Sequence, residues 1–114
     1  MPIMNIVTNK QLDHDAIKNF NQKASKLVSE ITGKPEKWVM VLLQESVPMI
    51  FNASSDAAAL ITLGSIGLNT DSCSDLSHKI CHFIEDEMGI PSERVYIQFS
   101  SLEKQAVGWN GSTF

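Results

Sequence analysis

The sequence contains one motif written twice, and this internal repeat limits the possible folds more than any other feature. Residues 33–41 read GKPEKWVMV and residues 89–97 read GIPSERVYI, so the glycine, the proline and the alternating apolar positions match at an offset of 56. The same offset aligns residues 3–9 with residues 59–65, a second apolar, strand-like segment. A self-match at a fixed spacing indicates two copies of one structural unit.

Each copy is predicted to fold as a strand, a helix and a strand. In the first copy, apolar residues recur every three or four positions from Ala16 to Ile31, which is typical of a helix with one buried side. Asp13 is a suitable N-cap for this helix, and Gly33 is a suitable end. The second copy repeats the pattern up to Met88. The chain is therefore predicted to be a single domain, 1–114, made of two pseudo-repeats at about 2–57 and 58–114.

Two strand–helix–strand units with right-handed crossovers form a four-stranded sheet with both helices on one face. We therefore predict an α+β fold of this topology. The strand expected at 38–43 is apolar throughout, which is typical of a sheet covered on both faces. Because the helices cover only one face, we expect a second copy of the chain to cover the other, in a closed cyclic oligomer. Residues 44–58 read as a turn-rich link with at most one short strand.

Charge and composition argue against several classes of function. The net charge is −4 and the nine Lys and Arg residues are scattered, so we expect no nucleic-acid partner. No apolar run approaches the roughly 20 residues of a membrane span, and no signal-peptide pattern opens the chain. We therefore expect no membrane partner and a cytoplasmic location. His78 and His82 have a spacing that can bind zinc, but no third ligand is indicated, so we expect neither a metal nor a cofactor.

Five segments together resemble the macrophage migration inhibitory factor family of tautomerases. They are the Met1-Pro2 start of a strand, TGKP at 32–35, SIG at 65–67, RVYI at 94–97, and VGWNGSTF at 107–114. The last segment favours this branch over the related D-dopachrome tautomerases. The resemblance implies a homotrimer whose three sheets close into a barrel with the helices outside. It also implies an enzyme, a cofactor-independent keto–enol tautomerase (an isomerase) of phenylpyruvate-like α-keto acids or dopachrome-like substrates.

The resemblance also implies roles for individual residues. Pro2 would be the catalytic general acid/base after removal of Met1. Lys34 and the backbone amide of Ile66 would bind the substrate from the same subunit, whereas Tyr96 and Gln98 would come from the neighbouring subunit. The aromatic part of the pocket would be lined by Leu102, Val107, Trp109 and Phe114.

Two positions depart from the pattern of the best-known family members. Those members carry asparagine where this chain has Gln98, and the extra methylene group is expected to alter the fit of the substrate. Their Cys-x-x-Cys motif falls here on Ala58 and Ile61, so a thiol–disulfide activity based on that motif is absent from this chain.

The proposed chemistry suits these residue types. Removing a proton from the carbon next to a carbonyl needs a base with a pKa near 7, and the three histidines all fall on predicted helices away from any glycine-rich cleft. An N-terminal amine starts near 7.7–8.0. Burial and the Lys34 cation would both lower that pKa. Lys34 would pair with the substrate carboxylate, while the Ile66 amide and the Tyr96 hydroxyl would stabilise charge developing on oxygen.

Three alternatives stay open at this point. The protein could be a cytokine-like or host-modulating binding protein with a vestigial pocket, and no segment of the sequence identifies a receptor-binding patch. Family members can leave cells without a signal peptide, so non-classical secretion is an alternative to a cytoplasmic location. Within the enzyme hypothesis, the neutral amine could also act as a nucleophile and form an iminium with a carbonyl substrate.

Overall fold

The computed structural model describes residues 1–114 as one mixed sheet with two helices packed on the same face. The predicted α+β fold is confirmed. The elements of the first copy are β1 (Pro2–Thr8), α1 (His14–Thr32) and β2 (Met40–Gln44), and those of the second are β3 (Ala59–Ile66), α2 (Cys73–Met88) and β4 (Val95–Leu102). A small ribbon follows, formed by β5 (Gly108–Trp109) and β6 (Ser112–Thr113).

The strand order in the sheet is β2-β1-β3-β4. Within each copy the two strands are parallel neighbours, β1 with β2 and β3 with β4, and the copies meet where β1 and β3 pair antiparallel. This is the arrangement that two strand–helix–strand units predict. The second strand of each copy consequently lies at an edge of the sheet.

The caps of the helices follow the sequence signals. Asp13 precedes α1, and its carboxylate accepts a hydrogen bond from the Ala16 amide at 2.7 Å. Gly33 and Gly89 end the two helices with φ values of 68° and 69°, a left-handed conformation that glycine adopts without a Cβ clash. Ala16 was predicted to lie on the buried side of α1, but it is exposed.

The core lies between the helices and one face of the sheet. Alternate residues of β1 and β3 point to this face, because successive side chains of a strand point to opposite sides. They pack against the apolar stripes of both helices. The fully buried members include Met4, Ile6, Ile61 and Leu63 from the strands, and Ala24, Val28, Ile80 and Ile84 from the helices.

The opposite face of the sheet has no cover within one protomer. Met40 on β2 and Tyr96 on β4 are 60% and 65% exposed. Leu42 and Leu60 are exposed on the same face, where Asn5 and Gln98 interrupt the apolar surface. The face is therefore more polar than the apolar run in the sequence predicted.

Two boundaries differ from the prediction. The strand expected at 38–43 begins at Met40, because Glu36–Trp38 form a turn of 3-10 helix after Pro35. The link predicted at 44–58 begins one residue later, because β2 extends to Gln44; it contains no strand of its own, only an isolated bridge between Phe51 and Ser54. No helix in the chain is both long enough and apolar enough to cross a membrane.

Candidate functional site

The start of β1 lies in the middle of the sheet, next to the end of β3. Pro2 pairs with Ser65 across the antiparallel ladder, and Ile3 pairs with Met40 on the parallel side. The Pro2 side chain is fully buried, whereas Met1 is partly exposed. The sheet therefore holds the N-terminus between two strands, one from each copy of the repeat.

A polar cavity of about 250 Å³ lies beside this end of the sheet. Its walls include Lys34 from the turn after α1, Ser65 and Ile66 from the end of β3, and Asn69 before α2. Ser65 is 1% exposed, yet its hydroxyl has no hydrogen-bond partner. A cation and an unpaired hydroxyl around one cavity form a site for an anionic group such as a carboxylate.

The turns that carry these residues are fixed by hydrogen bonds. The Ser29 hydroxyl donates to the Lys34 carbonyl at 2.6 Å, which holds the turn after α1 against the helix. Gly67 has a φ of 70°, and its amide donates to the Leu102 carbonyl at 3.2 Å. Ile66 is therefore fixed by β3 on one side and by the hydrogen-bonded turn at Gly67 on the other.

A second cavity, also of about 250 Å³, is mainly apolar. Three aromatic rings form its wall: Trp38 lies edge-on to Trp109 at 4.8 Å and to Phe114 at 5.4 Å. The ribbon of β5 and β6 brings Phe114 back to this wall, since the Phe114 amide donates to the Val107 carbonyl at 3.2 Å. The remaining wall residues are Met1, Ile3, Lys37, Val39, Met40, Val107 and Gly108.

The N-terminal amine links the two cavities electrostatically. Burial holds the pKa of the Met1 amine below its ordinary value, and the positive charge of Lys34 lowers that pKa further. These are the two causes that the sequence analysis gave for Pro2, and here they act on the amine of Met1. An amine that loses its charge readily can accept a proton, and Met1 itself lines the apolar cavity.

Six of the nine predicted site residues fall into two groups. Pro2, Lys34 and Ile66 lie together around the N-terminus, and Val107, Trp109 and Phe114 line the apolar cavity. Leu102 is not in that wall; it pairs with Ile66 at the end of β4 and its side chain lies over Gly64.

Tyr96 and Gln98 lie away from the N-terminus of their own protomer. Pro2 aligns through Ser65 with Ser101 of β4. Tyr96 is five residues before Ser101 on that strand, which is about 17 Å, and Gln98 is three residues before it, which is about 10 Å. Neither side chain reaches the two cavities within one protomer.

Sequence reasoning missed three residues of this site. Trp38 and Met40 were assigned only to a strand, although Met40 pairs with Ile3 and both residues line the apolar cavity. The parallel register within a strand–helix–strand unit was the signal that could have found Met40, whereas Trp38 lies in the 3-10 turn before β2, outside that register. Ser65 was quoted only as part of a motif, and its unpaired hydroxyl depends on tertiary contacts that the sequence does not contain.

Outside these two cavities we find no metal site and no other group of potentially catalytic side chains. No group of three or more His, Cys, Asp or Glu residues is placed to hold a metal ion. Nε2 of the exposed His82 lies 3.2 Å from the Asp86 carboxylate, one turn further along the same helix. The largest depression, about 750 Å³, is an open groove between Lys10 and Ile50 that contains none of the predicted residues.

Comparison with known proteins agrees with this architecture. The profile of the family described as macrophage migration inhibitory factor matches residues 1–114. A homologue from Brugia malayi is 36% identical over 100% of this chain and 99% of its own length. The crystal structure of a homologue from Prochlorococcus marinus has a TM-score of 0.92 at 37% identity and covers 98% of both chains, and that of the Trichinella spiralis protein has a TM-score of 0.90 at 34% identity over 98% of this chain and 99% of its own. The chain therefore belongs to the macrophage migration inhibitory factor family.

Proposed function

We propose that this protein is a cofactor-independent keto–enol tautomerase of phenylpyruvate-like α-keto acids, with dopachrome-like compounds as a second substrate class. Its base is the amine of Pro2, which is freed by removal of Met1. One observation carries the proposal: an N-terminal amine with a lowered pKa lies between a cavity lined by Lys34 and a cavity walled by aromatic rings.

The two cavities suit the two ends of such a substrate. The carboxylate enters the polar cavity, where it pairs with Lys34 and accepts hydrogen bonds from the Ser65 hydroxyl and the Ile66 amide. The aryl group packs against Trp38 and Trp109 in the apolar cavity. The carbon between them then lies next to the amine. Binding both ends of the substrate holds the reacting carbon in place, which is a large part of the advantage of an enzyme over solution.

Removal of Met1 strengthens the arrangement. It transfers the free amine to Pro2, whose side chain is fully buried, so both causes that lower the pKa of the Met1 amine act on the new one. The Met1 side chain also leaves the apolar cavity and makes room for the substrate. The neutral amine takes a proton from the carbon next to the carbonyl. It then delivers that proton to the oxygen of the resulting enolate, which gives the enol, so no other reactant is consumed.

We further propose that the working form is a homotrimer. The sheet face that carries Met40 and Tyr96 has no cover in one protomer. Tyr96 and Gln98 are too far from the N-terminus of their own chain to contact the same substrate. In a cyclic assembly they complete the site of the neighbouring protomer, where the Tyr96 hydroxyl donates to the oxygen on which charge develops.

The test compares three proteins: the wild type with Pro2 at its N-terminus, Pro2→Gly, and a form that retains Met1. Mass spectrometry first establishes each N-terminus, and the ketonisation of an enol pyruvate is then followed. Only the first protein is expected to be fast. Equal rates in all three would refute the role of the amine, and an inactive wild type with free Pro2 would favour the binding-protein alternative. Borohydride trapping with a carbonyl substrate separates the two amine chemistries, because only an iminium adds mass to the N-terminal peptide.

A further inference from the structure

We propose that Phe51, held in place by Arg94, is a positioning residue that orients Tyr96 for the site of the neighbouring protomer. This inference rests on the proposed function. It extends that function to a loop on the far side of the sheet from the N-terminus, a loop that the sequence analysis treated as a turn-rich link.

Arg94 uses its guanidinium group to fix this loop. Nε donates to the Ala57 carbonyl at 3.1 Å, Nη1 to the Phe51 carbonyl at 2.8 Å, and Nη2 to the carbonyls of Asp56 at 2.9 Å and Ser54 at 3.3 Å. All of its hydrogen bonds are to backbone oxygens, and it forms no ion pair with a carboxylate. The fork geometry of arginine therefore serves here to set the path of the main chain.

The loop needs this support because its own backbone is strained. Phe51 and Ser54 exchange two backbone hydrogen bonds of 3.0 Å, which closes a two-residue turn. The residues inside the turn are Asn52 and Ala53, with φ values of 51° and 57°. Asparagine tolerates a left-handed conformation, whereas alanine has a Cβ that disfavours it. The contacts of Arg94 hold the turn in this conformation.

The turn presents the ring of Phe51 between two partners. The Arg94 guanidinium lies over one side at 5.2 Å from the ring centroid, and the Tyr96 ring packs at 4.7 Å with an interplanar angle of 30°. Tyr96 is otherwise 65% exposed on an edge strand. Without this contact an exposed tyrosine has several staggered rotamers available. The contact with Phe51 selects one direction for the phenol before a substrate arrives.

The repeat supports a role at a site rather than in packing alone. The offset of 56 places Arg94 at the position of Trp38 and Tyr96 at the position of Met40. Trp38 and Met40 line the apolar cavity beside the N-terminus. The equivalent pairs of the two copies thus lie at opposite edges of the sheet. Trp38 and Met40 line the cavity of their own protomer, whereas Arg94 and Tyr96 would serve the site of the neighbouring protomer.

The first experiment is a double-mutant cycle on the ketonisation rate, with Phe51→Leu, Tyr96→Phe and the double variant. If Phe51 acts through the Tyr96 hydroxyl, Phe51→Leu lowers kcat about two- to tenfold, the range expected for an aromatic pair, and leaves KM for the keto acid nearly unchanged. In the Tyr96→Phe background the same change has no effect on kcat. Ile50→Ala is the matched control, because Ile50 precedes Phe51 in the loop and is 72% exposed. Its kcat is expected to equal that of the wild type.

The second experiment reads the contact without using activity. Tyr96 is the only tyrosine of the chain, so a protein labelled at the tyrosine ring gives one set of ring signals in an NMR spectrum. Phe51→Leu and Arg94→Lys are both expected to shift these signals, while Ile50→Ala leaves them in place. The Arg94→Lys variant also shows whether the shift in Phe51→Leu comes only from loss of the neighbouring ring, since it retains Phe51 and removes only the guanidinium group.

The outcomes separate the inference from the function on which it rests. A shifted tyrosine signal together with a loss of kcat that vanishes in the Tyr96→Phe background supports the positioning role. A loss of equal size in both backgrounds overturns it, as does an unshifted signal in Phe51→Leu. A wild type without ketonisation activity refutes the proposed function and this inference with it, and the tyrosine signal then still reports whether the Phe51 contact exists.

Discussion

Replacing Ser65 by alanine is expected to stabilise the fold and to weaken substrate binding at the same time. The Ser65 side chain is 1% exposed and its hydroxyl has no partner. A buried polar group without a hydrogen bond destabilises a protein by about 1–3 kcal/mol, and Ser65→Ala removes that group with the loss of only one atom. We therefore expect the free energy of unfolding to rise by about 1 kcal/mol.

Thr8→Val is the matched comparison, because Thr8 lies on the same buried face of the sheet and is 0% exposed. Its hydroxyl donates to the Ala58 carbonyl at 2.8 Å and accepts from the Lys10 amide at 3.1 Å. The substitution preserves the shape of the side chain and leaves both partners without a bond. It is expected to lower the free energy of unfolding by about 1–3 kcal/mol. Removing these two hydroxyl groups from the same face of the sheet should therefore change the free energy of unfolding in opposite directions.

The assay is urea unfolding at one fixed protomer concentration, because association contributes to the apparent stability of an oligomer. A change of the midpoint with an unchanged m value reports stability. The KM of Ser65→Ala for an α-keto acid is expected to rise about tenfold, since a hydrogen bond to a charged group contributes about 1.5 kcal/mol or more. If Ser65→Ala destabilises the protein as Thr8→Val does, the hydroxyl has a partner in the folded state. In that case the Ser65 hydroxyl does not mark a binding site for an anion.

Three further perturbations test the electrostatics, the apolar wall and the helix end. Lys34→Met raises the pKa of the N-terminal amine towards its ordinary value; because the base is active only above its pKa, the acid limb of the profile of kcat/KM against pH moves to higher pH. Lys37→Met removes a nearby lysine whose charge is not among the causes of the lowered pKa of the amine, so it leaves the position of that limb unchanged; equal shifts in both variants contradict the assignment. Trp38→Leu is expected to raise KM for an aryl keto acid several-fold and to leave KM for a short aliphatic one nearly unchanged; a parallel rise for both would place the aryl group elsewhere. In Gly33→Ala the new Cβ has no atom within 4 Å, but it is placed on a residue with a φ of 68°, which disfavours a side chain. The free energy of unfolding measured in urea should therefore fall by about 1 kcal/mol. An unchanged midpoint would contradict the left-handed cap.

The topology was predictable because its signals are local or repeated. The offset of 56 defined two units, and the handedness of crossovers limited how each unit could fold. The ends of α1 followed from Asp13 and Gly33, whose capping requires only neighbouring residues. Pro2, Lys34 and Ile66 could be assigned because family motifs surround them, although the sequence alone did not place their side chains.

The features that were missed depend on three-dimensional contacts. Trp38 has the apolar character of a strand residue, but the turn after Pro35 takes it out of the sheet and into the aromatic wall. Ala16 keeps the helical period, yet the stripe of α1 begins to be buried only further along the helix. Arg94 and Phe51 are separated by 43 positions, and no pattern in the sequence connects a guanidinium with the carbonyls of a distant turn.

The strand order has a consequence for mixtures of subunits. In the proposed ring, Tyr96 on the β4 edge contributes to the site of one neighbour, so each protomer would contribute two unlike halves to two different sites. A protomer altered only at Tyr96 retains its own Lys34 and aromatic wall, and it can still enter a ring with unaltered partners. If Tyr96 completes the site of a neighbour as proposed, such a protomer is expected to inactivate the site of one neighbour, while its own site, completed by the other neighbour, keeps working. Co-expression of two singly defective variants, one at each half, should therefore restore activity that neither homogeneous assembly has.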